Sequence, residues 1–73
     1  MAREPFGTRL RSMRESARMS PAQLAEHLGT DQDCISRWER NLEVPEYATV
    51  ERLAIALGVS GPTLLIGRAP PKA

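Results

Sequence analysis

Ser20-Pro21-Ala22-Gln23-Leu24-Ala25-Glu26-His27-Leu28-Gly29-Thr30-Asp31-Gln32-Asp33-Cys34-Ile35-Ser36-Arg37-Trp38-Glu39-Arg40 carries two helix starts and one helix stop in close succession. Serine suits an N-cap and proline the first helical position. Glutamine three residues after the serine completes a capping box. The helix that follows holds Leu24, Ala25 and Leu28 and stops at Gly29. At about eight residues it is too short to persist alone, so packing must hold it. Asp31 is a second N-cap. A further helix runs from about Gln32 to Arg40, with Ile35, Trp38 and Cys34 as its inner side. The link Leu28-Gly29-Thr30-Asp31 is tight, which forces the two helices to cross steeply.

Outward from this pair the chain repeats the pattern of short helices and clear stops. Upstream, Phe6, Leu10, Met13 and Ala17 recur on one face of a first helix, with Arg9, Arg11, Arg14 and Arg18 on the other. Downstream, Asn41 can adopt the left-handed conformation that ends a helix. Leu42 to Pro45 reads as a loop. Tyr47, Val50, Leu53, Ala54 and Leu57 space one face of a fourth helix from about Glu46 to Leu57, stopped by Gly58. Ser60 and Pro62 open a last short helix carrying Leu64, Leu65 and Ile66. The spacing predicts an all-α, compact five-helix bundle over residues 6–66, with an N-terminal arm at 1–5 and a tail at 67–73. No strand alternation or internal repeat is present.

The chain has 73 residues, room for one domain and one small core. Its three aromatics are Phe6, Trp38 and Tyr47, so the core is mostly aliphatic. A single cysteine, Cys34, excludes an internal disulfide and a cysteine-based zinc site. No apolar run approaches the roughly 20 residues that span a bilayer, and no secretory signal pattern appears. A cytoplasmic protein without cofactor or metal is expected. The net charge of +1 conceals a pattern. Five arginines face two glutamates in residues 1–18, the middle is acidic, and Arg68 and Lys72 restore positive charge at the end. Charge alone predicts only modest nonspecific attraction to nucleic acid. Cys34 and His27 lack a third group and a pocket for catalysis, so a binding protein rather than an enzyme is expected.

Arg14, Ser20, Leu24-Ala25, Gly29, Ile35-Ser36-Arg37-Trp38-Glu39-Arg40, Pro45 and Leu53-Ala54 with Leu57-Gly58-Val59-Ser60 together resemble the Cro/repressor-type, or XRE-like, helix-turn-helix family. The resemblance covers about residues 6–66. It implies a lambda-repressor-like DNA-binding domain and a sequence-specific regulator of transcription, a repressor above all. The third helix would lie in the major groove. The positions matching the family's base readers are Gln32, Asp33, Ser36 and Arg37. Their side chains are chemically suited to base edges, since Gln32 can pair adenine, Arg37 guanine, and Asp33 an exocyclic amino group. Arg14 and Glu39 match the family's buried ion pair. Phosphate contacts would come from the first turn of the second helix, with Ser20 and Gln23, and from Arg9, Arg11 and Arg40.

Four positions depart from the family pattern. Pro21 stands where glutamine is frequent, and Asp31 where a small hydroxyl residue is common. Leu42-Glu43-Val44 replaces a loop that is often basic. Arg18 stands where glycine often ends the first helix. Leu64, Leu65 and Ile66 form an apolar cluster that suggests a dimer contact, and a two-fold dimer would read a roughly palindromic operator. Two other readings stay open: an antitoxin that also masks a toxin, and a protein-interaction module that kept the fold without operator binding.

Overall fold

Pro5, in extended backbone, opens α1 (Phe6–Ser16), and Ser20 opens α2 (Pro21–Leu28). Asp31 opens α3 (Gln32–Glu39), and Glu46 opens α4 (Tyr47–Leu57). Gly61–Ile66 forms α5, whose first turn is capped by Ser60 Oγ accepting from the Thr63 amide at 3.1 Å. The computed structural model describes residues 5–66, with side chains through Leu64. The tail at 67–73 and most of the arm at 1–5 lie outside the described residues. No strand occurs among those described.

One closing device recurs at four helix ends. After α1, Met19 N–H donates to Arg14 O and Arg18 N–H to Glu15 O. The same pair of bonds closes α2 (Thr30 to Ala25, Gly29 to Glu26), α3 (Leu42 to Arg37, Asn41 to Trp38) and α4 (Val59 to Ala54, Gly58 to Ile55). This is the Schellman arrangement, which needs a left-handed residue at its corner. Gly29 takes φ 69° there without a Cβ to object, so the link between α2 and α3 stays short. Arg18 and Asn41 take φ 59° and 61° despite their side chains.

The helices pack α1 on α3 and α5, α2 on α3 and α4, and α4 on α5. Leu10, Leu24, Ala25, Leu28, Ile35, Val50, Leu53, Ala54, Leu57 and Leu64 form the core. Phe6, Met13, Met19, Trp38, Ala56 and Val59 close around it, partly buried. Burying each large aliphatic side chain contributes about 1.5–3 kcal/mol. Gly7 lets α1 lie directly against the end of α3: a Cβ there would sit 2.4 Å from Trp38 O and 2.6 Å from Glu39 O. Its own amide donates to Asn41 Oδ1 at 2.9 Å.

Several expectations change. Arg9, placed by periodicity on the face opposite the apolar one, is buried; Arg14 on that same face is buried too, as the resemblance implies. Ala17 is exposed beyond the end of α1. Tyr47 is 57% exposed rather than on the inner face. As the first residue of α4 it lies at the edge of the bundle, with its hydroxyl beside Gly61 at the start of α5 rather than in the core. Leu64 is completely buried and completes the monomer core, so it is not available as a dimer contact. The side chains of Leu65 and Ile66 lie outside the described residues.

Candidate nucleic-acid interface

The first turn of α2, the outward side of α3 and one flank of α1 border a concavity of about 310 Å3. Arg11, Pro21, Gln32, Ser36 and Arg40 stand around it, with Arg14 and Glu39 at its base. The turn at Gly29 sets this shape by swinging α3 across α2. Two of the sequence-derived base readers, Gln32 and Ser36, thus share a surface with two of the sequence-derived phosphate cations, Arg11 and Arg40. Asp33 is exposed on α3 outside this concavity.

The base of the concavity is an internal salt bridge. Arg14 Nε donates to Glu39 Oε2 at 2.6 Å and Nη2 to Oε1 at 3.1 Å, a two-pronged geometry. Arg14 Nη1 also donates to Met19 O at 2.8 Å. The two side chains are only 9% and 10% exposed. The hydrogen bond to Glu39 outweighs burial and raises the Arg14 pKa above its ordinary value, so the guanidinium stays charged. Glu39 therefore faces its own cation, and the base of the surface carries no net repulsion towards a polyanion.

The ends of α2 and α3 are partly self-satisfied. Ser20 Oγ accepts from the Gln23 amide at 3.1 Å, and Ser20 N–H donates to Gln23 Oε1 at 2.8 Å. Pro21 has no N–H, and Leu24 N–H donates to Ser20 O. Among the described residues, the Ala22 amide, the Ser20 hydroxyl hydrogen and the Gln23 side-chain NH2 are the donors this turn leaves for an outside acceptor. Ser20 and Gln23 shape the turn through their acceptor oxygens and each keeps a side-chain donor. Asp31 Oδ1 accepts from the Cys34 amide at 2.9 Å. That bond holds the Asp31 carboxyl below its usual pKa, so a negative charge caps α3.

Arg37 lies on the flank towards the loop after α3. Its Nε donates to Glu43 Oε1 at 3.1 Å and Nη2 to Cys34 Sγ at 3.4 Å. The Glu43 bond raises the Arg37 pKa. This pairing was not read from the sequence. Its signal is Asn41, whose left-handed turn folds the chain back and carries residue 43 alongside residue 37. Arg11, by contrast, pairs with Glu15 one turn on, a solvated contact at 3.3 Å.

Arg9 departs from its expected role. It is 7% exposed, and its Nε donates to Leu64 O at 2.6 Å, which ties α1 to α5. The long side chain buries its stem and brings its head to a backbone carbonyl inside the fold. It is therefore removed from the phosphate candidates.

A helix-turn-helix domain family model matches residues 5–65. The chain belongs to the Cro/repressor-type helix-turn-helix family. An uncharacterized HTH-type transcriptional regulator of Mycobacterium tuberculosis is 38% identical over 60 residues, which are 82% of this chain and 43% of that protein. The domain thus spans less than half the length of the curated relatives it matches. Among solved structures, the P22 c2 repressor in complex with a synthetic operator superposes with a TM-score of 0.83 at 31% identity, covering 89% of this chain and 98% of that one. SinR, a master regulator for biofilm formation solved in complex with DNA, gives 0.75 at 33% identity, covering 81% of this chain and 95% of that one. Among the described residues of the helix-turn-helix domain, no helix is long and apolar enough to cross a membrane, and no acidic, histidine and cysteine cluster could hold a metal ion.

Proposed function

We propose that this helix-turn-helix domain binds a specific double-stranded DNA sequence and regulates transcription, as a repressor that occupies a roughly palindromic operator as a dimer. One observation carries the reading: Gln32 and Ser36 share one concave surface with Arg11 and Arg40. Such a surface joins base-edge contacts to phosphate contacts, the two components of specific recognition. The likeness to the P22 c2 repressor in complex with a synthetic operator supports it. With α3 in the major groove, Gln32, Asp33, Ser36 and Arg37 face base edges. Arg11, Arg40, Ser20, Gln23 and the Ala22 amide meet phosphates. Repression is steric, by exclusion of polymerase.

Leu64 being internal, self-association draws on the exposed apolar residues Leu42, Val44 and Tyr47, at 60%, 72% and 57% exposure. The same exposed residues, flanked by Glu43, Glu46 and Glu51, favour a second reading: a protein partner such as a toxin.

The test is selection of bound duplexes from a random library, followed by salt titration of the best site. An enriched palindrome whose affinity falls steeply with salt, and loses preference at one guanine in Arg37→Ala, supports operator binding. No enrichment at low salt refutes it and directs attention to a protein partner.

A further inference from the structure

We infer that Glu43 is a specificity-determining residue of the DNA-reading surface, holding Arg37 by its inner edge so that its outer edge meets guanine. The inference rests on the proposal that α3 reads bases.

A guanidinium has five donor hydrogens and two usable edges, one formed by Nε and Nη2, the other by Nη1 and Nη2. Glu43 Oε1 takes Nε at 3.1 Å, and Cys34 Sγ takes one hydrogen of Nη2 at 3.4 Å. Both contacts use the two nitrogens of the Nε–Nη2 edge. Nη1 has no partner among the described residues, and the second Nη2 hydrogen stays open. Those two donors form the end-on fork that matches O6 and N7 of guanine. Arg37 and Glu43 are 42% and 56% exposed on their side chains, so the pair sits at the surface within reach of a ligand.

Two effects follow from the pairing. An arginine anchored at Nε has fewer rotamers to lose on docking, so the fork reaches the base with less ordering cost. The carboxylate also cancels the charge that would otherwise draw Arg37 to any nearby phosphate. A free arginine binds every duplex through its backbone, whereas an anchored and neutralised one contributes where a guanine accepts both donors. Glu43 stands in the loop whose sequence departs from the basic pattern of the family, and its backbone lies outside every helix.

The experiment compares the parent chain, Glu43→Ala, Glu43→Gln and Arg37→Ala on duplexes taken from the parent's own library selection, each with and without a base change at the guanine. Circular dichroism confirms that each variant is folded. Glu43→Ala is expected to lose most of the preference for guanine, which a fully formed arginine pair sets at about tenfold. Its slope of log affinity against log salt should steepen by about 0.9, the signature of one added phosphate contact. Glu43→Gln, which keeps an acceptor for Nε but loses the charge, should steepen the slope while retaining more of the preference. Glu43→Ala binding that tightens equally on both duplexes, with guanine preference intact, overturns the inference: Glu43 is then only a repulsive charge. An unchanged slope and preference overturn it as well. If Arg37→Ala abolishes the preference while Glu43→Ala does not, the inference fails and base reading by α3 survives. If Arg37→Ala leaves every preference intact, or the parent selects no duplex, the inference falls together with that reading.

Discussion

Glu39→Gln removes one charge from the buried pair while keeping its shape and one acceptor. The two side chains are 9% and 10% exposed, and the short contact is 2.6 Å, so water offers Arg14 little compensation. Removing one partner of a buried pair costs about 3–5 kcal/mol; the retained amide oxygen places this variant near the lower end, at about 3 kcal/mol. A domain of 73 residues is stable by only about 4–11 kcal/mol, at ~0.05–0.15 kcal/mol per residue. The variant therefore forfeits a large share of the total, and its Tm falls by about 12–24 °C at ~4–8 °C per kcal/mol. Urea unfolding followed by the emission of Trp38, with helical circular dichroism as a second probe, measures the loss. Removing both charges in Arg14→Met/Glu39→Leu should recover most of it, because two apolar side chains need no ion. A deficit of about 1 kcal/mol remains for the Met19 carbonyl that Arg14 Nη1 now serves. Two results would refute the reasoning. One is a Glu39→Gln loss below about 1 kcal/mol, the value of an exposed pair. The other is a double variant no more stable than the single.

Three further outcomes are expected. Gly7→Ala forces a methyl to within 2.4 and 2.6 Å of two backbone carbonyls of α3, and should cost about 1–3 kcal/mol in the same urea assay. Arg18→Gly relieves a left-handed arginine; the relief exceeds the added chain entropy of glycine, and stability rises by about 0.5–1 kcal/mol. Asp31→Asn tests the depressed carboxyl. The stability it contributes is present above its unfolded value and drains away as pH falls through the lower folded value. Thermal melts of the variant should therefore show reduced stability at neutral pH and a flatter acid limb below about pH 4.

Helix starts and stops were legible because each is written in a few adjacent residues. Ser20 with Gln23, Asp31, Gly29, Asn41 and Gly58 do locally what their chemistry dictates. Arg9 of α1 was not legible in the same way. Periodicity puts Arg9 on a polar face, but its partner is a carbonyl 55 residues away, and no local pattern encodes that distance. Leu64 likewise reads as surplus apolar surface until α1 and α4 enclose it in the folded chain. On the reading surface, the residue types could be placed on α3 from the sequence, yet the occupation of Arg37 by Glu43 depends on the turn after the helix. Charge counting saw Glu43 only as an acidic loop residue.

The bond from Arg9 to Leu64 also bears on motion. At six residues α5 cannot sustain itself in water; it is held by one wholly buried leucine, by its packing on α1 and α4, and by this tie across the bundle. Detaching it uncovers Leu64 and the core face it packs on, without touching the packing of α1 on α3 or of α2 on α3 and α4. Such a partial opening costs less than global unfolding. Hydrogen exchange should thus find α5 amides the least protected of the core-bearing helices, and Arg9 is the hinge pin whose removal lets that end of the domain breathe.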